Sequence, residues 1–233
     1  MRPEDPVTII TAAGKGMGEA IARLLHSEGH QLVLMSNSGG AVALGEELGC
    51  AGVTGSVVEP NDLERLVDIA VGSFGRIDSV VNNTGHPPSG DLLTLTDTDW
   101  HRGLDLVLLN VVRMARLATP HMSRGGSIVN ISTFSAFEPD LAFPVSSTLR
   151  AGLGSFAKLF ANRYAPEGIR MNNVLPGFIE SYDVNSDTLA RIPMGRSGEV
   201  TEIAGTVSFL LSDAAGYITG QNLRVDGGIS RSV

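Results

Sequence analysis

The chain has 233 residues and 42% hydrophobic content, enough for one sizeable core and one domain spanning 1–233. Its 17 Lys and Arg against 25 Asp and Glu give a net charge of −8, which argues against the clustered cations that nucleic-acid binding requires. The lone Cys50 cannot form an internal disulfide, the opening MRPEDPVTII lacks the apolar stretch of an export signal, and the most apolar run, Leu104 to Val112, is too short and interrupted to span a membrane.

A cytoplasmic protein acting on a small molecule is therefore expected, with neither nucleic acid nor membrane as partner. The first β-branched run, VTII at 7–10, precedes GMGEAIARLLHSEG, where Met17, Ile21, Leu24 and Leu25 share one helical face and Gly29 supplies the stop. QLVLM at 31–35 follows, then an alanine- and glutamate-rich stretch to Gly49. Further strands are expected near 51–55, 77–82, 126–132, 169–175 and 222–225, with helices near 61–74, 98–119, 144–165 and 199–212. This alternation predicts an α/β fold: one doubly wound parallel sheet of about seven strands with helices on both faces. The loosest region, 177–198, carries the polar SYDVNSD and Pro193, and reads either as a lid over the strand ends or as a plain connection.

The stretch TAAGKGMG, 11–18, joins the first strand to the first helix, where Gly14, Gly16 and Gly18 allow a tight turn and close approach of a pyrophosphate to the helix N-terminus. Four more stretches point the same way: NNTG at 82–85, PGFIES at 176–181, the segment IPMGRSGEVTEIAGTVSFLLSD, and YITGQNLRVDGG at 217–228. Together they resemble the classical short-chain dehydrogenase/reductase family, in its ketoacyl-reductase-like branch, over nearly the whole chain. The resemblance implies a Rossmann-type domain that binds NAD(H) or NADP(H) and interconverts alcohols and ketones. It also implies a homo-oligomer, dimer or tetramer, paired through the helices near 98–119 and 144–165. Carried over position by position, the cofactor-binding residues are Thr11, Gly14, Lys15, Gly16, Met17, Gly18, Asn37, Ser38, Asn83, Gly85, Pro176, Gly177 and Ile179.

Three departures bear on the cofactor. Ala12 replaces the first motif glycine, a modest change where the local φ is negative. Ser56 stands where the family has an aspartate near the adenine, and Met35, Ser36, Asn37, Ser38 offer no acid for an NAD ribose. Lys15, Asn37 and Ser38 suit a 2′-phosphate, which favours NADP(H) over NAD(H). The alternative of a solvated Lys15 beside a pocket that binds no cofactor stays open.

The family's proton relay of Asn, Ser, Tyr and Lys falls on Val107, Thr133, Ser146 and Arg150. Only the hydroxyl at Thr133 keeps its role. Serine is a far weaker acid than a phenol, and arginine stays protonated, so Ser146 and Arg150 cannot relay a proton in the usual way. His86, directly after NNTG, and Tyr182 in the loose region are the candidate substitutes. Arg150 also suits a bound carboxylate, phosphate or halide, or else a structural salt bridge or an outward-facing position. His26, His30, His101 and His121 show no paired ligand spacing, so no metal is expected.

Two functional readings follow. One is an NADP(H)-linked carbonyl or alcohol oxidoreductase with weak or altered proton handling. The other is a catalytically silent binding module or subunit, in a hetero-oligomer with an active relative. A redox-independent lyase or dehalogenase-like activity ranks last, because halohydrin dehalogenases keep the tyrosine and lose the glycine-rich turn, the reverse of this chain.

Overall fold

In a computed structural model, residues 5–123, 125–181 and 184–232 are described. Seven strands form one sheet: β1 (Val7–Thr11), β2 (Gln31–Ser36), β3 (Ala51–Thr54), β4 (Ser79–Asn82), β5 (Ser127–Ile131), β6 (Arg170–Pro176) and β7 (Asn222–Val225). Their order is β3-β2-β1-β4-β5-β6-β7 and every neighbouring pair is parallel. Helices cover both faces. One face carries α1 (Gly16–Ser27), α2 (Gly40–Leu48) and α8 (Val200–Leu211), which bury Ile21, Leu25, Leu44 and Ile203 against Ile10, Val81 and Val174. The other carries α3 (Pro60–Phe74), α5 (Asn110–Ala118) and α6 (Pro144–Tyr164), packing Leu66, Met114 and Phe160 against Ile9, Val80 and Ile128. Strands covered on both sides read as continuous apolar runs, which is why VTII and QLVLM are legible in the sequence.

The α/β architecture and all seven strands agree with the sequence expectation. Two regions differ in detail. The helix expected over 98–119 divides into α4 (Asp97–Leu104), a π-helical turn over Asp105–Leu109, and α5. Arg113 Nη2 pairs with Asp105 Oδ1 at 2.7 Å across this turn. The region 177–198 contains a short helix, α7 (Ser186–Arg191), begun by the Asn185 side chain accepting from Thr188 N at 2.9 Å. A single helix this short offers too few turns for an apolar period to emerge. Its ends are joined where Ile179 pairs with Gly198, so the excursion leaves the sheet through a closed neck. Among the described residues no helix is long and apolar enough to cross a membrane.

The strand order reverses between β1 and β4. In an open parallel sheet this opens a crevice beyond the carboxyl ends of those strands, so the turn after β1 is the place to look for a ligand.

Candidate active site and nucleotide cleft

The turn after β1 is tied to the end of β4. Thr11 Oγ1 donates to the Asn83 carbonyl at 2.7 Å and accepts from Asn83 N at 2.9 Å, while Asn83 Nδ2 donates to the Ala12 carbonyl at 3.2 Å. These bonds draw the turn close against its neighbours at Gly14 and Gly18. A Cβ on Gly14 would stand 2.8 Å from Ser36 Oγ, and one on Gly18 only 2.2 Å from the Ala12 carbonyl oxygen. Side chains are therefore excluded from both positions. Gly16 takes φ +57°, and so does a residue that should not: Ala12 sits at φ +48°. The condition under which alanine would be a mild replacement is not met, and the turn carries strain that glycine would relieve.

The end of β2 shapes the neighbouring wall. Ser36 Oγ donates to the Ser38 carbonyl at 2.7 Å and accepts from Ala41 N at 2.9 Å, which holds Asn37 and Ser38 exposed at the cleft edge. Ser56 N donates to Asp62 Oδ2 at 2.9 Å, so the carboxylate missing at position 56 is approached from α3, where Arg65 pairs with it at 3.0 Å.

The resulting cleft measures about 420 Å³ and is lined by Gly14, Lys15, Gly16, Met17, Asn37, Ser38, Asn83, Gly85 and His86, all named from the sequence. Ser36, Thr84 and Ser181, from stretches the sequence already singled out though not named as cofactor residues, line it too, and so do Arg102 and Leu106, which sequence reasoning missed. Arg102 comes from α4, where nothing local marks it as a cleft residue, and Ser181 ends PGFIES at the neck of the 177–198 excursion. Among the described residues Lys15 and Arg102 are the charged lining residues beside His86, and no carboxylate joins them. On a chain of net charge −8, that is a locally cationic site.

Other positions lie elsewhere. Pro176 ends β6 opposite Val225, Gly177 packs against Asp226, and Ile179 is buried in a smaller cavity with Phe178, Met194 and Gly198. None of the three is among the cleft lining. Val107 is buried inside the π-helical turn. Thr133 begins the short turn after β5 and accepts from Ser135 N at 3.4 Å and Ser135 Oγ at 3.3 Å. Ser146 is half-buried in the first turn of α6. Arg150 is 7% exposed, which corrects the outward-facing alternative: its Nη1 donates to the Ile131 carbonyl, the residue lines a second groove, and its charge reaches His86 on the cleft wall.

His86 keeps an exposed edge on the cleft wall. Partial burial of the ring, and secondarily the Arg150 charge, push its pKa below the ordinary imidazole value. Tyr182 lies outside the described residues. Of the other tyrosines, Tyr164 stacks on Phe160 with ring centroids 4.5 Å apart and Tyr217 is fully exposed. The chain's two lysines are Lys15, at the glycine-rich turn, and Lys158, on α6.

Comparison with known proteins accords with this geometry. The family model described as enoyl-(acyl carrier protein) reductase matches residues 11–230. An uncharacterized oxidoreductase of Methylorubrum extorquens is 34% identical over 97% of this chain and 98% of its own length. The 3-oxoacyl-[acyl-carrier-protein] reductase FabG of Escherichia coli is 33% identical over 98% of this chain and 99% of its own. Among solved structures, a short-chain dehydrogenase/reductase of Brucella melitensis superimposes with TM-score 0.91 at 30% identity, covering all of both chains. A blue fluorescent protein from a metagenomic library, solved in complex with NADPH, gives TM-score 0.91 at 27% identity over 97% of this chain and 98% of that one. With the sheet order, the glycine-rich turn and these matches in agreement, the chain belongs to the short-chain dehydrogenase/reductase family of oxidoreductases.

Proposed function

We infer that the protein is an NADP(H)-linked oxidoreductase of the carbonyl/alcohol type with an altered proton relay. The observation that carries the cofactor assignment is the lining of the cleft: among the described residues it holds two cations and no carboxylate, in a chain of net charge −8. An extra phosphate is favoured there and a ribose-holding acid is missing. Gly14, Gly16 and Gly18 provide the bare backbone a pyrophosphate needs, so the residues present fit the dinucleotide.

When bound, the nicotinamide supplies or accepts hydride. The chain's own contribution is to orient substrate and move a proton. Thr133 Oγ1 already accepts from Ser135, which leaves its own hydroxyl proton to point at a substrate oxygen. Ser146, one helical turn before Arg150, replaces a phenol with an alkyl hydroxyl of much higher pKa. His86 is the group on the cleft wall able to donate a proton at mildly acid pH. The loss of general-acid assistance is worth roughly 10²- to 10⁴-fold in rate. Slow carbonyl reduction is the expected activity.

A second reading is favoured by one specific feature, the position of Arg150 in the groove, bonded to a strand carbonyl. In that reading the chain is a cofactor-binding but silent subunit beside an active relative. Oligomer formation belongs to both readings, with α6 and its 67% exposed Leu159 as the surface to be covered. Fluorescence titration with NADPH and NADH tests the cofactor assignment: absence of NADPH binding at millimolar concentration removes the oxidoreductase. Turnover of a carbonyl panel by the pure homo-oligomer removes the silent subunit.

A further inference from the structure

The stretch after β7, residues 226–232, contributes to neither of the apolar cores that cover the sheet. Its buried side chain, Ile229, packs instead with Phe134 and Ile192 in a small third core. Phe178 and Leu189 complete that core, and the rings of Phe134 and Phe178 lie 5.5 Å apart. The backbone is fitted to the same place. Gly227 takes φ +63°, a Cβ there would stand 2.8 Å from Ile192 Cγ2, and Met194 N donates to the Gly227 carbonyl at 3.2 Å. α7 fully buries no residue of its own, so its carboxyl end rests on this core.

A second set of contacts ties the same stretch to the turn after β5. Glu138 Oε1 accepts from the backbone N–H groups of Arg231 and Ser232. Arg224, on β7, braces this end: its Nη1 donates to the Ser232 carbonyl at 2.6 Å and to Ser232 Oγ at 3.1 Å, and its guanidinium lies 5.7 Å from the centre of the Phe137 ring. Asp226 shapes the stretch from within, accepting from Gly228 N at 2.9 Å and from Ser230 Oγ at 2.5 Å. The turn held in this way is the one that Thr133 begins. Ala136 N donates to the Thr133 carbonyl at 3.1 Å and Phe137 N to the Phe134 carbonyl at 3.0 Å. It is pinned on both sides, at Phe134 by apolar packing and at Glu138 by charge-assisted hydrogen bonds.

We propose that residues 226–232 are a clasp that positions Thr133, with Ile229 and Glu138 as the two positioning residues. Thr133 adjoins Phe134 in the chain, so anchoring that ring restricts where the Thr133 hydroxyl can point. A short turn with few hydrogen bonds of its own opens locally unless contacts from outside hold it. Ile192 shares the core, so releasing the stretch also frees the end of α7. The role given to Thr133 rests on the oxidoreductase reading, and the clasp itself does not.

Hydrogen exchange on the full chain, without cofactor, tests the clasp. Glu138→Ala and Ile229→Ala are each expected to speed amide exchange across 133–137 roughly tenfold, and the Ile229 variant across 189–194 as well, with β1, β4 and β5 unchanged. Glu138→Gln keeps an acceptor oxygen and should restore most of the protection. In carbonyl reduction Glu138→Ala should raise KM for the carbonyl several-fold and leave the NADPH dissociation constant as it was, and in a Thr133→Val background that rise should vanish. The clasp is overturned if 133–137 keeps its wild-type exchange in Glu138→Ala, or if β1, β4 and β5 accelerate equally. Glu138 lies outside all three apolar cores, so this variant decides the question even if Ile229→Ala fails to fold. The positioning of Thr133 is overturned if KM does not move or if its rise persists in Thr133→Val. Should no carbonyl be turned over, the oxidoreductase reading falls and takes the role of Thr133 with it, while the exchange result still decides the clasp.

Discussion

A side-chain carbon on Gly18 would stand 2.2 Å from the carbonyl oxygen of Ala12, and Ala12 itself holds φ +48°. The first helix thus enters so close to the end of β1 that one position must be glycine and the other ought to be. Replacing Gly18 by alanine forces the turn apart. We expect Gly18→Ala to lose about 2–3 kcal/mol or to fail to fold, in line with overpacking at a tight site. Ala12→Gly relieves about 1–2 kcal/mol of left-handed strain and costs about 0.5–1 kcal/mol in unfolded-chain entropy. A net gain of about 0.5–1 kcal/mol should appear as a small rise in the urea midpoint with unchanged slope. A fall in that midpoint would contradict the strain.

The cationic lining of the cleft beyond β1 and β4, the proposed NADP(H) site, makes a different prediction. Lys15→Met should raise the dissociation constant for NADPH roughly tenfold, with little effect on NADH, because the extra phosphate loses its charged partner. Arg102→Met should weaken both if its guanidinium serves the pyrophosphate, and NADPH alone if it serves the 2′-phosphate. Equal losses for NADPH and NADH in Lys15→Met would argue that the lysine recognises no 2′-phosphate.

His86 gives the chain a pH signature. Its pKa lies below the ordinary imidazole value through partial burial and then the Arg150 charge, with Lys15 and Arg102 lining the same cleft. In the window between the folded pKa and about 6.5, the unfolded chain binds this proton more tightly, so stability rises with pH across the window and is flat above it. Denaturation midpoints of the wild type should therefore decline on the acid side more steeply than those of His86→Asn. Parallel profiles would show that the histidine is not perturbed. If His86 is also the proton donor, reductase activity should rise as pH falls toward its pKa, and the asparagine variant should lose that rise.

Installing a phenol and an ammonium at the positions proposed for the relay tests that reading directly. Ser146→Tyr with Arg150→Lys is expected to raise carbonyl reduction by roughly 10²-fold or more, the contribution of a positioned general acid. The pair also removes the guanidinium held by the Ile131 carbonyl, so some loss of stability accompanies the gain. Adding Val107→Asn buries an amide inside the π-helical turn, where Val107 is only 1% exposed, and should cost about 1–3 kcal/mol unless water or the lysine satisfies it. Tight NADPH binding without any gain in rate from the double variant would place the defect elsewhere than the relay.

A row of four asparagines across β4 to β7 and the fate of Arg150 show where legibility stops. Asn82, Asn130, Asn173 and Asn222 are far apart in the chain, and nothing in their flanking residues announces a common line. Strand register brings them together. The family resemblance puts Arg150 at the position expected for the relay's lysine, but which side of α6 its long side chain serves depends on the carbonyl it finds at the end of β5.

What the sequence settled by itself was whatever repeats locally: apolar runs that must be covered on both faces, helical periods between them, and glycines where the backbone turns beside a helix start. These are short-range constraints, so the strands, their helices and the glycine-rich turn after β1 follow from neighbouring residues alone. Only the tertiary structure decided the positive φ at Ala12, the recruitment of Arg102 and Leu106 to the cleft, and the direction of Arg150. Each depends on a contact between segments distant in the chain, and packing, which no local pattern encodes, selects the partner.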